Sequence, residues 1–276
     1  MNLPLRLPMR TSVLAAAVAA AAAIAMLAMP SAPAAAAELP TRFTDGSTCQ
    51  GRFDASDKVA YGVDVSKFQG DIDWQTVSDK TGVLYTLVRA SYGLETDEKF
   101  KRNWDALEDK CILRAPYHFF VEAIDPVSQA KGLYDRLKAH GALDAELPVV
   151  ADIERASAKD DICGNPARAK EFATRAFQFI AAFEKAAEND HDRPMMIYTS
   201  NGFWNCLPAA KEMTGFRDLW IAEYTKAPSP QIPNGWTNWR FWQFYDKGKV
   251  AGVEGNVDAD RFNGNGAALL KFAGGK

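Results

Sequence analysis

The sequence predicts an α/β fold in the form of a single TIM-like β/α barrel. Short apolar segments rich in β-branched and aromatic residues alternate with longer segments whose apolar residues recur every three or four positions. Strands that alternate with helices form parallel sheets through right-handed crossovers. Seven or eight such strands within the roughly 240 residues after residue 37 fit one closed barrel better than an open sheet.

The predicted strands are short and are bounded by glycine, proline, aspartate or asparagine. They are Val59–Ser66, Tyr85–Ser91, Arg114–Phe120, Leu147–Glu154, Met195–Ser200, Leu219–Tyr224 and Arg240–Tyr245. The predicted helices carry apolar residues at helical spacing and are Asp97–Asp109, Ser128–His140 and Pro166–Glu188. Because residues 219–262 contain strands but little helical pattern, we expect the second half of the barrel to be irregular.

The first 37 residues have the pattern of a secretory signal peptide. Arg6 and Arg10 precede an apolar, alanine-rich run, which ends in four alanines at 34–37. A membrane anchor is the alternative, but the run is shorter than the roughly 20 residues of a spanning helix. We expect cleavage near Ala37 and a secreted or periplasmic protein. The remaining chain divides into an N-terminal extension at 38–57, the barrel at 58–265 and a C-terminal tail at 266–276.

The charge balance limits the possible partners. The formal net charge is −3, which does not favour a nucleic acid or an anionic membrane surface. The sequence has no phosphate-binding glycine-rich loop, no G-x-S-x-G elbow and no H-E-x-x-H motif. We therefore expect no cofactor and no bound metal. We also expect the protein to act as a monomer.

Four cysteines follow the signal segment: Cys49, Cys111, Cys163 and Cys206. Their spacing does not suit a zinc site, and an even number in an exported chain predicts two disulfides. Three pairings are possible. We favour Cys163–Cys206 with Cys49–Cys111, because Cys163 and Cys206 belong to loops that should follow strands on the same face of the barrel.

Acidic residues fall where the predicted strands end. Asp152 and Glu154 close an apolar strand, and residues two apart on a strand point to the same side, about 6.6 Å apart. Asp64 ends the first strand in the same way, and Asp258 follows an extended segment near the other terminus. The carboxyl ends of barrel strands carry the chemistry of such folds, and closure of the barrel would bring the first and last strands together.

Crowded carboxyl groups suit glycoside hydrolysis. Like charges at close range raise at least one pKa, so that one acid keeps its proton while a neighbour stays ionised. On this basis Glu154 is the predicted proton donor and Asp152 stabilises positive charge or positions the reacting group. Asp64 and Asp258 would hold geometry and tune pKa values. The alternative is that a strand ending in Asp-x-Glu simply enters a solvated loop or caps the next helix.

The three histidines are weaker candidates. His118 stands near a predicted strand end and could contribute to the site, but a hydrogen-bonded core histidine is the favoured interpretation. His140 and His191 are predicted at helix ends on the surface.

Eight segments, in order, resemble glycoside hydrolase family 25, the lysozymes of the Chalaropsis type. They are Tyr61–Gly70 with Ile72-Asp73-Trp74, Leu87–Gly93, Ala115–Phe119, Val150–Glu154, Ile197–Ser200, Leu219–Tyr224, Trp242-Gln243-Phe244 and Val257–Phe262. The resemblance covers about residues 58–265. It implies an irregular, flattened β/α barrel with a groove, and cleavage of the β-1,4 bond between N-acetylmuramic acid and N-acetylglucosamine in the glycan strands of peptidoglycan.

The family's catalytic positions fall on Asp64, Asp152, Glu154 and Asp258, with Glu154 as the usual acid. The resemblance also implies assistance from the acetamido group of the substrate, which Asp152 would then orient. Aromatic residues near the strand ends are candidates for lining the groove, each of them also a candidate for the core. They are Tyr92, Tyr117, Tyr198, Trp220, Tyr224 and Trp242.

Two features depart from the family pattern, namely the extension before Val59 and the four cysteines. Two other functions are also considered. One is a barrel that binds cell-wall glycan without catalysis, against which the retention of all four acids argues. The other is a metal-dependent phosphodiesterase, since four carboxylates could bind Mg²⁺ or Ca²⁺.

Overall fold

The computed structural model describes residues 46–54, 59–157, 159–208 and 213–274. The predicted signal peptide lies outside these ranges. The helices are α1 (Gly46–Asp54), α2 (Trp74–Lys80), α3 (Phe100–Ala106), α4 (Pro126–Ala139), α5 (Pro166–Ala187), α6 (Asn201–Cys206) and α7 (Gly266–Ala273), with a 3-10 turn at Lys67–Gln69. The strands are β1 (Tyr61–Val65), β2 (Val83–Tyr92), β3 (Glu95–Thr96), β4 (Leu113–Phe119), β5 (Val150–Asp152), β6 (Met196–Ser200), β7 (Leu219–Ala222), β8 (Phe241–Gly248) and β9 (Val257–Phe262).

Eight strands of the described chain close into a ring, which confirms the predicted barrel. Strand β1 pairs with β2, and β2, β4, β5, β6, β7 and β8 follow in parallel order. Strand β9 closes the ring and runs antiparallel to both of its neighbours, β8 and β1. The short β3 pairs only with the end of β2. The reversed last strand, together with the lack of a helix within residues 219–262, makes the second half irregular, as expected.

An apolar core fills the space between the strands and the surrounding helices. Helix α5 buries a stripe that includes Phe172, Phe179 and Phe183. The side chain of Asn165 caps this helix by accepting hydrogen bonds from two backbone N–H groups, and Pro166 occupies the first turn, where a missing N–H costs little. Strand side chains that point away from the barrel interior pack against these helices, and this packing stabilises the barrel. No helix in the described residues has the length and apolarity needed to cross a membrane.

Helices α1 and α7, near the two ends of the described residues, meet below the barrel, a packing that the sequence analysis did not anticipate. The assigned extension contains α1 and the assigned tail contains α7, and these helices contact each other. A Cβ on Gly266 would lie 2.0 Å from the backbone oxygen of Phe53, so only glycine permits this approach. Leu269 and Leu270 of α7 pack with Tyr85 and interior residues at the end where the parallel strands begin. The tail therefore covers the end of the barrel interior where the parallel strands begin.

Both expected disulfides are present. Cys49–Cys111 ties α1 to the turn before β4, and Cys163–Cys206 ties the segment before α5 to α6, with Cα–Cα distances of 5.1 and 5.4 Å. The second bond anchors the segment that follows Glu154 to the end of β6 and α6.

Candidate active site

Five carboxyl groups converge at the end of the barrel where the parallel strands finish. On β1, Val63 and Val65 pack outward while Asp64 faces the interior, as strand alternation requires. Asp152 is the last residue of β5 and Glu154 lies two residues beyond. The sequence analysis identified these three acids, and the structure brings them together.

The other two carboxyl groups belong to β9. Asp258 is the register partner of Asp64, and Asp260 is the partner of Gly62. Because β9 is reversed, its first residues, rather than its last, lie at the end of the ring where the parallel strands finish. The structure thus brings the predicted Asp258 beside Asp64, and it adds Asp260, a fully buried acid one step deeper that the sequence analysis did not single out.

Burial is the main reason why these acids hold protons. The pKa of Glu154 is raised from its usual 4.5 to about 7, first by burial and then by the charge of Asp258, while Arg155 opposes the rise. Burial and the charge of Asp258 raise the pKa of Asp64, while hydrogen bonds with Gln243 and Asp260 lower it, and burial and Asp246 raise the pKa of Asp258 to about 6. The sequence analysis expected like-charge repulsion to be the main cause of these pKa shifts, but its contribution is smaller than that of burial.

Burial acts on the remaining two acids in the same direction. Burial raises the pKa of Asp152 well above the usual range, with smaller contributions from Glu154 and Asp64. Burial and the neighbouring Asp64 do the same for Asp260. The Oδ1 atom of Asp152 is buried and has no hydrogen-bond partner within the described part of the chain, whereas the residue as a whole is 5% exposed.

Gln243 forms hydrogen bonds with three side chains at this end of the barrel, and the sequence analysis did not single it out. Its Oε1 accepts hydrogen bonds from the hydroxyls of Tyr198 at 2.9 Å and Tyr224 at 2.7 Å. These two donors fix the orientation of the amide, so that Nε2 faces Asp64 and donates to its Oδ2 at 2.7 Å. The hydrogen bond from Gln243 lowers the pKa of Asp64 and partly offsets its burial.

Arg89 supplies positive charge beside the acids. Its Nε donates to Asp97 at 2.8 Å, and both side chains are nearly fully buried. Asp97 also accepts from the backbone N–H of Lys67 at 3.0 Å, which ties the loop after β1 to the loop after β2. The guanidinium opposes the rise in the pKa of Asp152 and lies 5.1 Å from the ring centre of the exposed Phe68.

The six candidate groove aromatics separate into three groups. Tyr92 and Tyr224 are exposed, by 37 % and 56 %, so their rings can meet a ligand. Tyr117 and Tyr198 are buried beneath the acids and interact with them electrostatically. The remaining two, Trp220 and Trp242, are buried.

Trp220 and Trp242 are buried in the core, the alternative that the sequence analysis left open for each groove candidate. Trp220 is inside the barrel, where its Nε1 donates to Asp260 at 2.7 Å and its ring centre lies 4.4 Å from that of Tyr198. Trp242 points to the outer side, because β8 alternates and Phe241 and Gln243 take the interior positions. It packs on Leu219 and Ile221 and donates to the backbone oxygen of Glu223.

His118 is a core residue, as favoured. Its ring stacks on Phe179 with 4.6 Å between centres, and its nitrogens bond to Ser91 at 2.7 Å and Gln129 at 3.2 Å. Burial lowers its pKa to about 3, so it is neutral at ordinary pH.

Comparison with known proteins agrees with this geometry. Residues 63–253 match the family described as Glycosyl hydrolases family 25. Lysozyme M1 of Streptomyces globisporus is 30% identical over 221 residues, which are 77% of this chain and 70% of that protein. N,O-diacetylmuramidase of Arthroderma benhamiae is 28% identical over 220 residues, 78% of this chain and 86% of that protein.

Solved structures give the same result. The bacterial lysozyme from Streptomyces coelicolor superposes with a TM-score of 0.64 at 29% identity, covering 78% of this chain and 97% of that one. A family GH25 lysozyme from Aspergillus fumigatus also gives 0.64, at 28% identity, over 78% and 99% of the two chains.

Proposed function

This chain belongs to glycosyl hydrolase family 25, and we propose that it is an exported muramidase that hydrolyses the β-1,4 bond between N-acetylmuramic acid and N-acetylglucosamine in peptidoglycan. It is a glycoside hydrolase of the lysozyme type. The observation that carries the assignment of the site is the convergence of buried carboxyl groups, among which Glu154 has a pKa of about 7.

Glu154 is the proton donor in this proposal. An acid with a pKa near 7 keeps its proton at the working pH yet can release it in the transition state. It gives the proton to the glycosidic oxygen as the bond from that oxygen to the anomeric carbon breaks. Glu154 is only partly buried, which leaves it accessible to a sugar ring above the mouth.

Asp152 is proposed to orient the acetamido group of the substrate. Asp152 is 5% exposed, and its carboxyl group can accept the acetamido N–H, which directs the acetamido oxygen to the anomeric carbon as the leaving group departs. Water then adds to the anomeric carbon, the acetamido oxygen leaves it, and Glu154 takes back the proton. Asp64 and Asp258 place negative charge beside the developing positive charge on the sugar.

The exposed rings of Tyr92 and Tyr224 are proposed to contact sugars on either side of the cleaved bond, above the floor formed by Tyr117 and Tyr198.

We further propose that residues 1–37 are a signal peptide cleaved near Ala37. The two disulfides support export, since such bonds persist in oxidising compartments.

The test is mass spectrometry of purified peptidoglycan after digestion and reduction of the new sugar ends. A muramidase leaves reduced muramic acid at those ends, whereas reduced glucosamine would identify another glycosidase and reject the proposal. Parallel digests with EDTA separate the alternatives: undiminished release is expected here, while a metal-dependent phosphodiesterase would lose activity. Sedimentation with peptidoglycan but without new reducing ends would indicate a barrel that only binds.

A further inference from the structure

Asp260 is a buried acid that no proposed catalytic step uses. It is fully buried on β9, one interior position below Asp258. Its Oδ1 accepts a hydrogen bond from Nε1 of Trp220 at 2.7 Å. Its Oδ2 is also buried, and none of the described residues donates a hydrogen bond to it. The carboxyl group lies within hydrogen-bonding reach of the Asp64 carboxyl.

Two neighbouring buried carboxyls cannot both be ionised without a large cost, so the pair holds at least one proton. The surroundings decide which oxygen holds it. Asp64 accepts a hydrogen bond from Gln243 at 2.7 Å and is 6% exposed at the mouth, whereas Asp260 is 0% exposed. The anion is better solvated at Asp64. The indole N–H occupies Oδ1 of Asp260, which leaves Oδ2 as the place for the proton.

We propose that Asp260 is a positioning residue that remains a neutral carboxylic acid and donates its O–H to Asp64, holding Asp64 as an anion that faces the substrate. This inference rests on the proposed function of the site. Asp64 then receives two donors, Nε2 of Gln243 and the O–H of Asp260, each fixed by a further partner. Burial raises the pKa of Asp260 in the direction this role requires.

The groups around Asp260 agree with a neutral acid. The titratable side chains that interact with it are Asp64 on β1, Tyr85 on β2 and Asp258 on its own strand. None of these side chains carries positive charge, and the phenol of Tyr85 is itself buried and uncharged. Among the residues that the structure describes, an ionised Asp260 would therefore have only the indole N–H of Trp220 to stabilise its charge.

Two substitutions of similar size separate a neutral donor from a charge. In Asp260→Asn, the amide oxygen can accept from Trp220 and the amide N–H can donate to Asp64, so we expect kcat/KM within about threefold of wild type. Asp260→Leu removes the donor, and we expect kcat to fall about 10- to 100-fold, the effect of losing one hydrogen bond to a charged group. KM should change little in both.

The pH profile distinguishes positioning from general disruption. Without its donor, Asp64 should ionise at higher pH, so the lower apparent pKa of kcat/KM should rise in Asp260→Leu and stay in place in Asp260→Asn. Equal loss of activity in both well-folded variants would show that a charge at 260 is needed and would overturn the proposal. Unchanged activity and pH profile in Asp260→Leu would do the same.

An infrared measurement does not depend on activity. The C=O band of a buried protonated carboxylic acid should persist at pH 8 in the wild-type protein and lose intensity in Asp260→Asn. The result holds for Asp260 even if digestion products contradict the muramidase assignment, so the two proposals can fail separately. Identical infrared spectra for wild type and Asp260→Asn would reject the neutral acid, including in the case that Asp260→Leu does not fold.

Discussion

Glu154→Gln should make the protein more stable at alkaline pH while it removes the activity. The folded protein raises the pKa of Glu154 from 4.5 to about 7, so it disfavours the anion. A difference of about 2.5 pKa units corresponds to about 3.4 kcal/mol, and partial exposure of the side chain reduces the expected effect to about 2–3 kcal/mol. Glutamine has nearly the same shape and carries no charge to bury.

The sign follows from proton binding. Between pH 4.5 and about 7 the folded state holds the Glu154 proton and the unfolded state has released it, so the wild type loses stability as pH rises through this window. Below pH 4.5 both states are neutral and the variant should match the wild type to within about 0.5 kcal/mol. Above pH 7 the gain in Glu154→Gln is complete.

Urea unfolding at pH 4 and pH 8 measures this difference directly, and thermal unfolding should show a Tm higher by about 4–12 °C at pH 8. Activity should fall about 10²- to 10⁴-fold, the usual contribution of a general acid. Asp160→Asn is the matched control, since Asp160 is an exposed acid of the same segment and should change neither quantity. A variant with the same stability as wild type at pH 8 would refute the argument that Glu154 is held protonated by burial.

Two further substitutions test the electrostatics and the groove. Asp258→Asn removes a charge that raises the pKa of Glu154. The fall of kcat/KM at alkaline pH, expected near pH 7, should therefore move to lower pH. A fall that stays in place or moves to higher pH would contradict the coupling. Tyr224→Ala should raise KM for glycan about three- to tenfold through loss of an exposed ring, whereas Trp242→Phe should cost about 1–2 kcal/mol of stability and leave KM unchanged. A larger KM effect in Trp242→Phe would place that ring in the groove after all.

Much of the site was accessible from alternation along strands. The rule that places Asp152 and Glu154 on one face applies equally to Asp258 and Asp260, so the sequence contained the signal for the buried acid. Gln243 carried a weaker signal, because a neutral amide marks no chemistry by itself and its importance comes from Tyr198 and Tyr224. The orientation of Trp242 required knowledge of which face of β8 is the interior.

Other features depended on tertiary packing. Helix α7 spans only Gly266–Ala273, and a helix this short is stabilised by its contacts with α1 and the barrel floor rather than by its own sequence. The reversal of β9 was predictable in retrospect. Residues 249–256 are too few for a parallel crossover, and Gly252 and Gly255 have positive φ angles of 94° and 78°, as a tight hairpin connection needs.

The reversed strand also explains how one site holds acids in several protonation states. Because β9 enters from the mouth, its alternate residues descend into the barrel, with Asp258 half-buried at the rim and Asp260 fully enclosed below it. The pKa values follow this depth at the rim, about 6 for Asp258 and about 7 for the partly buried Glu154, and burial raises those of the enclosed Asp152 and Asp260 well above the usual range. Solvent exposure thus favours ionisation of Asp258 at the rim, while burial favours the protonated form of Asp152 and Asp260.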